Sequence, residues 1–258
     1  MLNGRLALVT GASSGLGIDF ARNLAARRCN LVLVARRENL LRAQQSEIAD
    51  RYGVDVEIVP LDLALPDAPQ LLLDRIKETG KAVDILINNA GLGLYGEFLE
   101  IPWERERNML EIDIISLVHM TKLFAREMVA RNFGFILQVA SVFAFQPSPL
   151  YASYGAAKRF VLDFGEALSY ELRKTNVKCT VLSPGITATE FLKVSGQQAT
   201  LYQRLTMMRS ADVARIGIEG MLKGKVTVVP GWANIAGAWA ARLAPRRFAT
   251  AVAYRLMA

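Results

Sequence analysis

Tyr154 and Lys158 stand four residues apart in a stretch whose pattern predicts a helix, so both side chains leave one face a turn apart. An ammonium beside a phenol favours the phenolate. It brings a group with an ordinary pKa of about 10 toward the range where it exchanges a proton with a substrate oxygen. Ser141 lies thirteen residues upstream, at the end of a predicted strand, where ligands sit in open α/β sheets. Alone, Tyr-x-x-x-Lys is an ordinary helix pair; with Ser141 it can be an acid/base site. Other chemistries are poorly supplied. His119 is the sole histidine and Cys29 and Cys179 the only cysteines, so no Cys/His metal cluster can be built, and Ser-His-Asp or Cys-His catalysis would need His119 itself.

A second cluster precedes the first helix. Thr10-Gly11-Ala12-Ser13-Ser14-Gly15-Leu16-Gly17 follows a short apolar run and opens the stretch 15–28. Glycines there let the backbone approach a pyrophosphate, and the helix N-terminus offers it unpaired N–H groups and partial positive charge. After the second apolar run comes Ala35-Arg36-Arg37, with no acid before Glu38. A carboxylate there would accept from a ribose 2′-OH, whereas cations suit a 2′-phosphate. The sequence therefore favours NADP(H), with Arg36 as the main phosphate contact and Ser13 and Arg37 helping; the plainer alternative is two solvated arginines at a helix start.

The turn Gly11-x-x-x-Gly15-x-Gly17, Asn88-Asn89-Ala90-Gly91, Ser141 with Tyr154-x-x-x-Lys158, and Pro184-Gly185 occur in this order over roughly residues 4 to 230. The chain thereby resembles the short-chain dehydrogenase/reductase superfamily. The resemblance implies an oxidoreductase interconverting a carbonyl and a secondary alcohol. In it Tyr154 would be the general acid/base, Lys158 would lower the Tyr154 pKa and hold the ribose, and Ser141 would hydrogen-bond the reacting oxygen. Ser14 and Leu16 would belong to the cofactor turn, Asp62 would lie near the adenine and Asn89 near its ribose, with Ala90 and Gly91 alongside. The backbone of Pro184, Gly185 and Ile186, with the Thr189 hydroxyl, would fix the carboxamide. Asp113 departs from the pattern, which has asparagine supporting a water-mediated relay to the lysine. An altered relay or a degenerate site both fit that change. The family also implies a homodimer or homotetramer. Competing readings are another reaction on the same scaffold, such as dehydration, epimerisation or reduction of a different polar double bond, and a cofactor-binding regulatory or structural protein without turnover.

These residues must be held by alternating elements. Apolar runs at 6–10, 31–35, 56–60, 83–88, 135–140, 177–183 and 226–229 read as strands, and 15–28, 38–52, 68–79, 104–131, 151–175 and 211–223 as helices. The pattern predicts an α/β, Rossmann-type, doubly wound and mainly parallel seven-stranded sheet with helices on both faces. With no linker or repeat, residues 1–230 read as one domain. Within it 185–208 forms a substrate lid whose Phe191, Leu192, Val194, Leu201, Tyr202, Leu205, Met207 and Met208 favour a hydrophobic substrate. His119, inside the helix 104–131, reads as a surface or interface imidazole.

Charge and hydropathy separate the tail from the body. The chain has 258 residues, 52% of them hydrophobic, and a net charge of +7. No acid follows Glu219, whereas Lys223, Lys225, Arg242, Arg246, Arg247 and Arg255 do follow it. The body is thus nearly neutral, and the basic excess, interleaved with large apolar residues, does not read as a nucleic-acid arm. In 231–258, Trp232, Ile235, Ala236, Trp239 and Leu243, then Phe248, Val252 and Leu256 beyond Pro245, recur at helical spacing. Two readings stand: the stripes pack on the body or a partner subunit, or they make a peripheral membrane contact. Asn234, Arg242 and Pro245 interrupt any spanning window. The apolar run before Thr10 is too short for a signal peptide, and scarce cysteine suits a reducing compartment, so a cytoplasmic protein, with or without membrane association, is expected.

Overall fold

In the computed structural model, residues 2–198 and 200–257 are described, apart from the side chains of Lys193, Leu201, Tyr202 and Leu205. Those last three are lid positions singled out above, and their side chains lie outside the described residues.

The apolar runs become β1 (Leu6–Thr10), β2 (Asn30–Ala35), β3 (Val56–Pro60), β4 (Ile85–Asn88), β5 (Gly134–Val139), β6 (Val177–Leu182) and, after two short lid strands, β9 (Thr227–Val228). They form one sheet in the order β3-β2-β1-β4-β5-β6-β9, with every pairing parallel. Because β1 lies between β2 and β4, the strand order reverses there, and a crevice opens at the carboxyl ends. The central strands are buried on both faces, as crossover helices require.

Those helices divide into two layers. α1 (Gly15–Ala25), α2 (Glu38–Tyr52) and α9 (Ser210–Leu222) cover one face through Phe20, Leu24, Leu41, Ile48, Val213 and Met221. α3 (Ala68–Glu78) and α5 (Leu117–Ala130) cover the other through Leu72, Ile76, Met120, Phe124 and Met128. α6 (Ala152–Glu171) lies beside α5 and packs Val161 and Leu162 on Val181.

Three segments depart from the expected outline. The helix expected over 104–131 is α4 (Trp103–Leu110), a π-helical turn Glu111–Ser116, then α5. The widened turn shifts the helix register, and its Asp113 is fully buried. The segment expected to be a lid is structured: β7 (Thr187–Ala188) pairs with β8 (Met208–Arg209), enclosing the short helices α7 (Phe191–Ser195) and α8 (Leu201–Thr206). The tail forms α10 (Trp232–Leu243) and α11 (Arg246–Met257), parted at Ala244-Pro245, where proline cannot continue the helix. The tail does rest on the body, but through Asn234, Ala249, Ala253 and Met257, which are buried. The large stripe residues Trp232, Ile235, Trp239, Leu243, Phe248 and Val252 face solvent instead. Periodicity shows that a helix has an apolar face, not which way that face turns.

Candidate active site

A cavity of about 380 Å³ lies over the carboxyl ends of the sheet, and its lining includes the glycine turn, Arg36, Arg37, Asp62, Ser141, Tyr154, Lys158 and the segment from Pro184 to Ile186. At its cofactor end the sequence dictates the shape. Gly11 has φ +65°, and a Cβ on Gly17 would lie 2.2 Å from the Gly11 carbonyl oxygen, so α1 can approach the β1 turn only with glycine there. Ser14 caps α1 without a side-chain hydrogen bond, leaving first-turn N–H groups for an anion. Ser14, Gly15 and Leu16 line the cavity, and Thr189 lies against Gly15. This cradle fits a pyrophosphate on its own geometry.

Arg37 donates to Ser13 Oγ from Nη2 at 3.3 Å and lies 3.7 Å from a Glu190 carboxylate oxygen. Arg36 lies 3.8 Å from Asp62 Oδ2. Ser13, Arg36, Arg37 and Asp62 thus meet at one exposed end, as expected, with two carboxylates that the sequence reading did not pair with the arginines. Asn89 is tied down: its Nδ2 donates to the Thr10 carbonyl at 2.9 Å, while Thr10 Oγ1 accepts from the backbone N–H of Asn89 and of Ala90, each at 2.9 Å. Thr10 was not singled out by the sequence, yet it fixes the β4 turn onto β1. One layer below, buried Asn88 donates to Thr121 Oγ1 at 2.9 Å and to Gln138 Oε1 at 3.0 Å, joining β4, α5 and β5.

At the other end, Lys158 Nζ donates to the Val139 carbonyl at 3.1 Å and lies 3.0 Å from Asp113 Oδ2. Asp113 Oδ1 accepts from Leu92 N at 2.8 Å. The ammonium and carboxylate are both buried. Burial pushes the Asp113 carboxyl up, while Lys158 and the Leu92 N–H hold it down. Tyr154 is buried, with Lys158 Nζ 5.6 Å from its ring centre. Its phenol is pushed well above the ordinary range by burial and then by the Asp113 charge, with the Ser141 hydroxyl pulling the other way. Burial, the larger of these effects, and the charge of the Asp113 carboxylate that faces Lys158 both work against the phenolate that Lys158 is expected to favour. Ser141 Oγ accepts from Phe143 N at 3.2 Å, which leaves its proton for an acceptor. His119 is half-buried in α5 and lines no part of this cavity.

An aromatic wall surrounds the phenol. Tyr154 lies 5.5 Å from Phe191, 5.8 Å from Tyr151 and 6.0 Å from Phe143 between ring centres. Tyr151 OH donates to Gln197 Oε1 at 2.8 Å. Gln197 Nε2 in turn donates to the Met257 carbonyl at 2.8 Å, and Tyr95 OH to the same carbonyl at 3.3 Å. Met257 packs in this aromatic cluster. Asn234 seals the adjoining edge, filling the space where a Gly185 side chain would stand. Sequence reading marked Phe191 but missed Tyr95, Phe143, Tyr151 and Gln197; Tyr151, three residues before Tyr154 on a helix start, was the one available signal.

Residues 5–200 match the short chain dehydrogenase family. Human 17-beta-hydroxysteroid dehydrogenase type 3 is 32% identical over 92% of this chain and 79% of its own length. A short-chain dehydrogenase from Sphingobium yanoikuyae, solved with NADPH, superposes with a TM-score of 0.82 at 29% identity, covering 93% of this chain and 95% of the other. One from Burkholderia phymatum, solved with NAD, gives 0.83 at 25% identity, covering 92% of each chain. The family match begins at the glycine-turn strand and continues past Tyr154 and Lys158 into the lid. This chain therefore belongs to the short-chain dehydrogenases, nicotinamide-cofactor oxidoreductases that act between a hydroxyl and a carbonyl.

Proposed function

We propose that the protein is an NADPH-dependent reductase of a hydrophobic ketone, with the secondary alcohol as product. The carrying observation is the convergence of Ser141, Tyr154 and Lys158 on the cavity that also contains the phosphate-type cradle. The nicotinamide, when bound, supplies the hydride to the carbonyl carbon. Ser141 donates a hydrogen bond to the carbonyl oxygen and orients it. Tyr154 delivers its phenolic proton to that oxygen as negative charge develops. Lys158, held by the Val139 carbonyl and Asp113, would hold the ribose of a bound cofactor and would stabilise the tyrosinate left behind. A phenol kept protonated by burial and by Asp113 holds the proton that carbonyl reduction consumes.

Several features support the finer points. Arg36, Arg37 and Ser13 suit a 2′-phosphate, and Pro184–Ile186 and Thr189 line the same cavity, in keeping with a role in holding the carboxamide. Phe143, Phe191 and the exposed Val194 line the cavity, and Tyr151 and Met257 pack behind the two phenylalanines in one apolar cluster, a surround suited to a hydrophobic substrate. Exposed Ile115 and Phe160 on the helices flanking the site suit a homo-oligomer contact.

Stopped-flow NADPH oxidation over ketones of graded hydrophobicity tests this reading. We expect turnover that improves from small polar to bulky apolar ketones. Tight NADPH binding without oxidation across the whole panel would instead support a cofactor-binding regulatory protein.

A further inference from the structure

The tail turns its helices inside out. On α10 the buried residue is the polar Asn234. Trp232 and Leu243 are each 84% exposed, Trp239 60% and, on α11, Phe248 64%. An ordinary surface helix hides its large apolar side chains and shows its polar ones. Here Ile235, Val252 and Tyr254 extend the exposed set, giving an apolar face of the kind that marks a docking surface.

The charged side chains of the two tail helices are of one sign. Arg242, Arg246, Arg247 and Arg255 are exposed, and none pairs with a carboxylate among the described residues. Arg247 and Arg255 flank a shallow surface hollow that includes Thr250 and Tyr254, a setting for a phosphate oxygen. Arg242 sits 5.9 Å over the Trp239 ring, placing an amphipathic ring and a cation side by side. No helix among the described residues is long and apolar enough to cross a bilayer.

We propose that α10 and α11 form a docking face for an anionic lipid surface, with the large apolar side chains entering the acyl boundary and the arginines meeting headgroup phosphates. Charge selects this occupant over a second copy of the chain. A twofold contact through the face would oppose the same four arginines from each protomer with no acid after Glu219 to offset them. A lipid surface supplies the missing anions. Trp, Leu and Phe interleaved with Arg make a composition suited to helices that lie in the interface plane.

Flotation of the full-length protein with phosphatidylcholine vesicles, with and without phosphatidylglycerol, tests the proposal at low and high salt. The protein should float with the anionic vesicles at low salt, show a blue-shifted tryptophan emission there, and release at high salt. Arg246→Gln with Arg247→Gln should weaken binding about 25-fold, at roughly fivefold per arginine near an anionic surface. Trp239→Ser with Leu243→Ser should weaken flotation and reduce the emission shift, leaving Trp232 as the remaining tryptophan of the face. Both variants, being confined to exposed positions, should keep wild-type ketone turnover without vesicles. Binding is read without turnover, so it stands or fails apart from the proposed reaction. No flotation of the wild-type protein, or equal flotation with neutral vesicles, overturns the proposal. Absence of flotation together with dissociation of an oligomer in the Trp239→Ser, Leu243→Ser variant would assign the face to a second copy.

Discussion

Asp113 is the residue that most sets this site apart, because it places a carboxylate 3.0 Å from Lys158 Nζ in a buried cluster whose reactive member is a phenol. Tyr154→Phe keeps the ring and its packing on Phe191 and Phe143 but removes the transferable proton. Turnover should fall by ~10²–10⁴-fold with NADPH affinity nearly unchanged, as steady-state rates and fluorescence titration would read. For Asp113→Asn the sign follows from charge. The Asp113 anion raises the Tyr154 pKa, so removing it lowers that pKa. Reduction spends the phenolic proton and is lost as pH rises through the Tyr154 pKa, whereas alcohol oxidation needs the phenolate and is gained there. The variant should remain active while both limbs move to lower pH. Superimposable wild-type and variant profiles would show that the Asp113 charge is not felt at Tyr154. The Tyr, the Lys and the unusual Asp were all legible as letters. The resemblance already put the Asp113 anion near Lys158; what the letters left open was the balance at Tyr154, because burial by Phe191, Tyr151 and Phe143 comes from packing.

At the scale of elements, the strands were readable because a parallel sheet covered on both faces needs continuous apolar runs, and Leu6–Thr10 and Ile85–Asn88 are such runs. The β2 end carries its own consequence. Arg36 and Arg37 leave the sheet beside Ser13 with no acid at Ala35, so NADPH should bind at least tenfold more tightly than NADH. One charge-assisted phosphate contact of about 1.5–3 kcal/mol is enough for that. Arg36→Ala with Arg37→Ala should erase the preference by weakening NADPH while leaving NADH unchanged in paired titrations. A wild-type protein with equal affinities would remove the 2′-phosphate assignment. Lid and tail were less readable. Residues Gly185–Met208 have no long apolar period, and their shape comes from distant partners such as Met257, which accepts from Gln197 and Tyr95. For α10 the period was visible, but its small inward residues decide its orientation, and periodicity is blind to that choice.

For the whole molecule, the neutral groups locked inside the fold set an alkaline limit. Burial pushes Cys29 up to about 11 from 9.0, and Cys179 up to about 12 from 9.0. It likewise pushes Tyr151 up to about 12 from 10.0. The unfolded chain therefore releases these protons while the native state keeps them. Their stabilising contribution is whole below pH 9.0 and is lost as pH climbs toward 11 and 12. Tm measured by scanning fluorimetry should decline steadily above pH 9, and Cys179→Val, which packs without titrating, should flatten that decline. An unaltered slope in the variant would mean that Cys179 is not among the groups responsible. The tail ties the two ends of the molecule together. α11 closes on the aromatic wall through the Met257 carbonyl and turns Phe248 and Val252 outward, so one helix touches both the wall that backs the cavity and the outer surface. Linkage between the two places is then reciprocal: whatever factor a surface bound at the outer face imposes on occupancy of the cavity, an occupied cavity imposes on the grip of that surface.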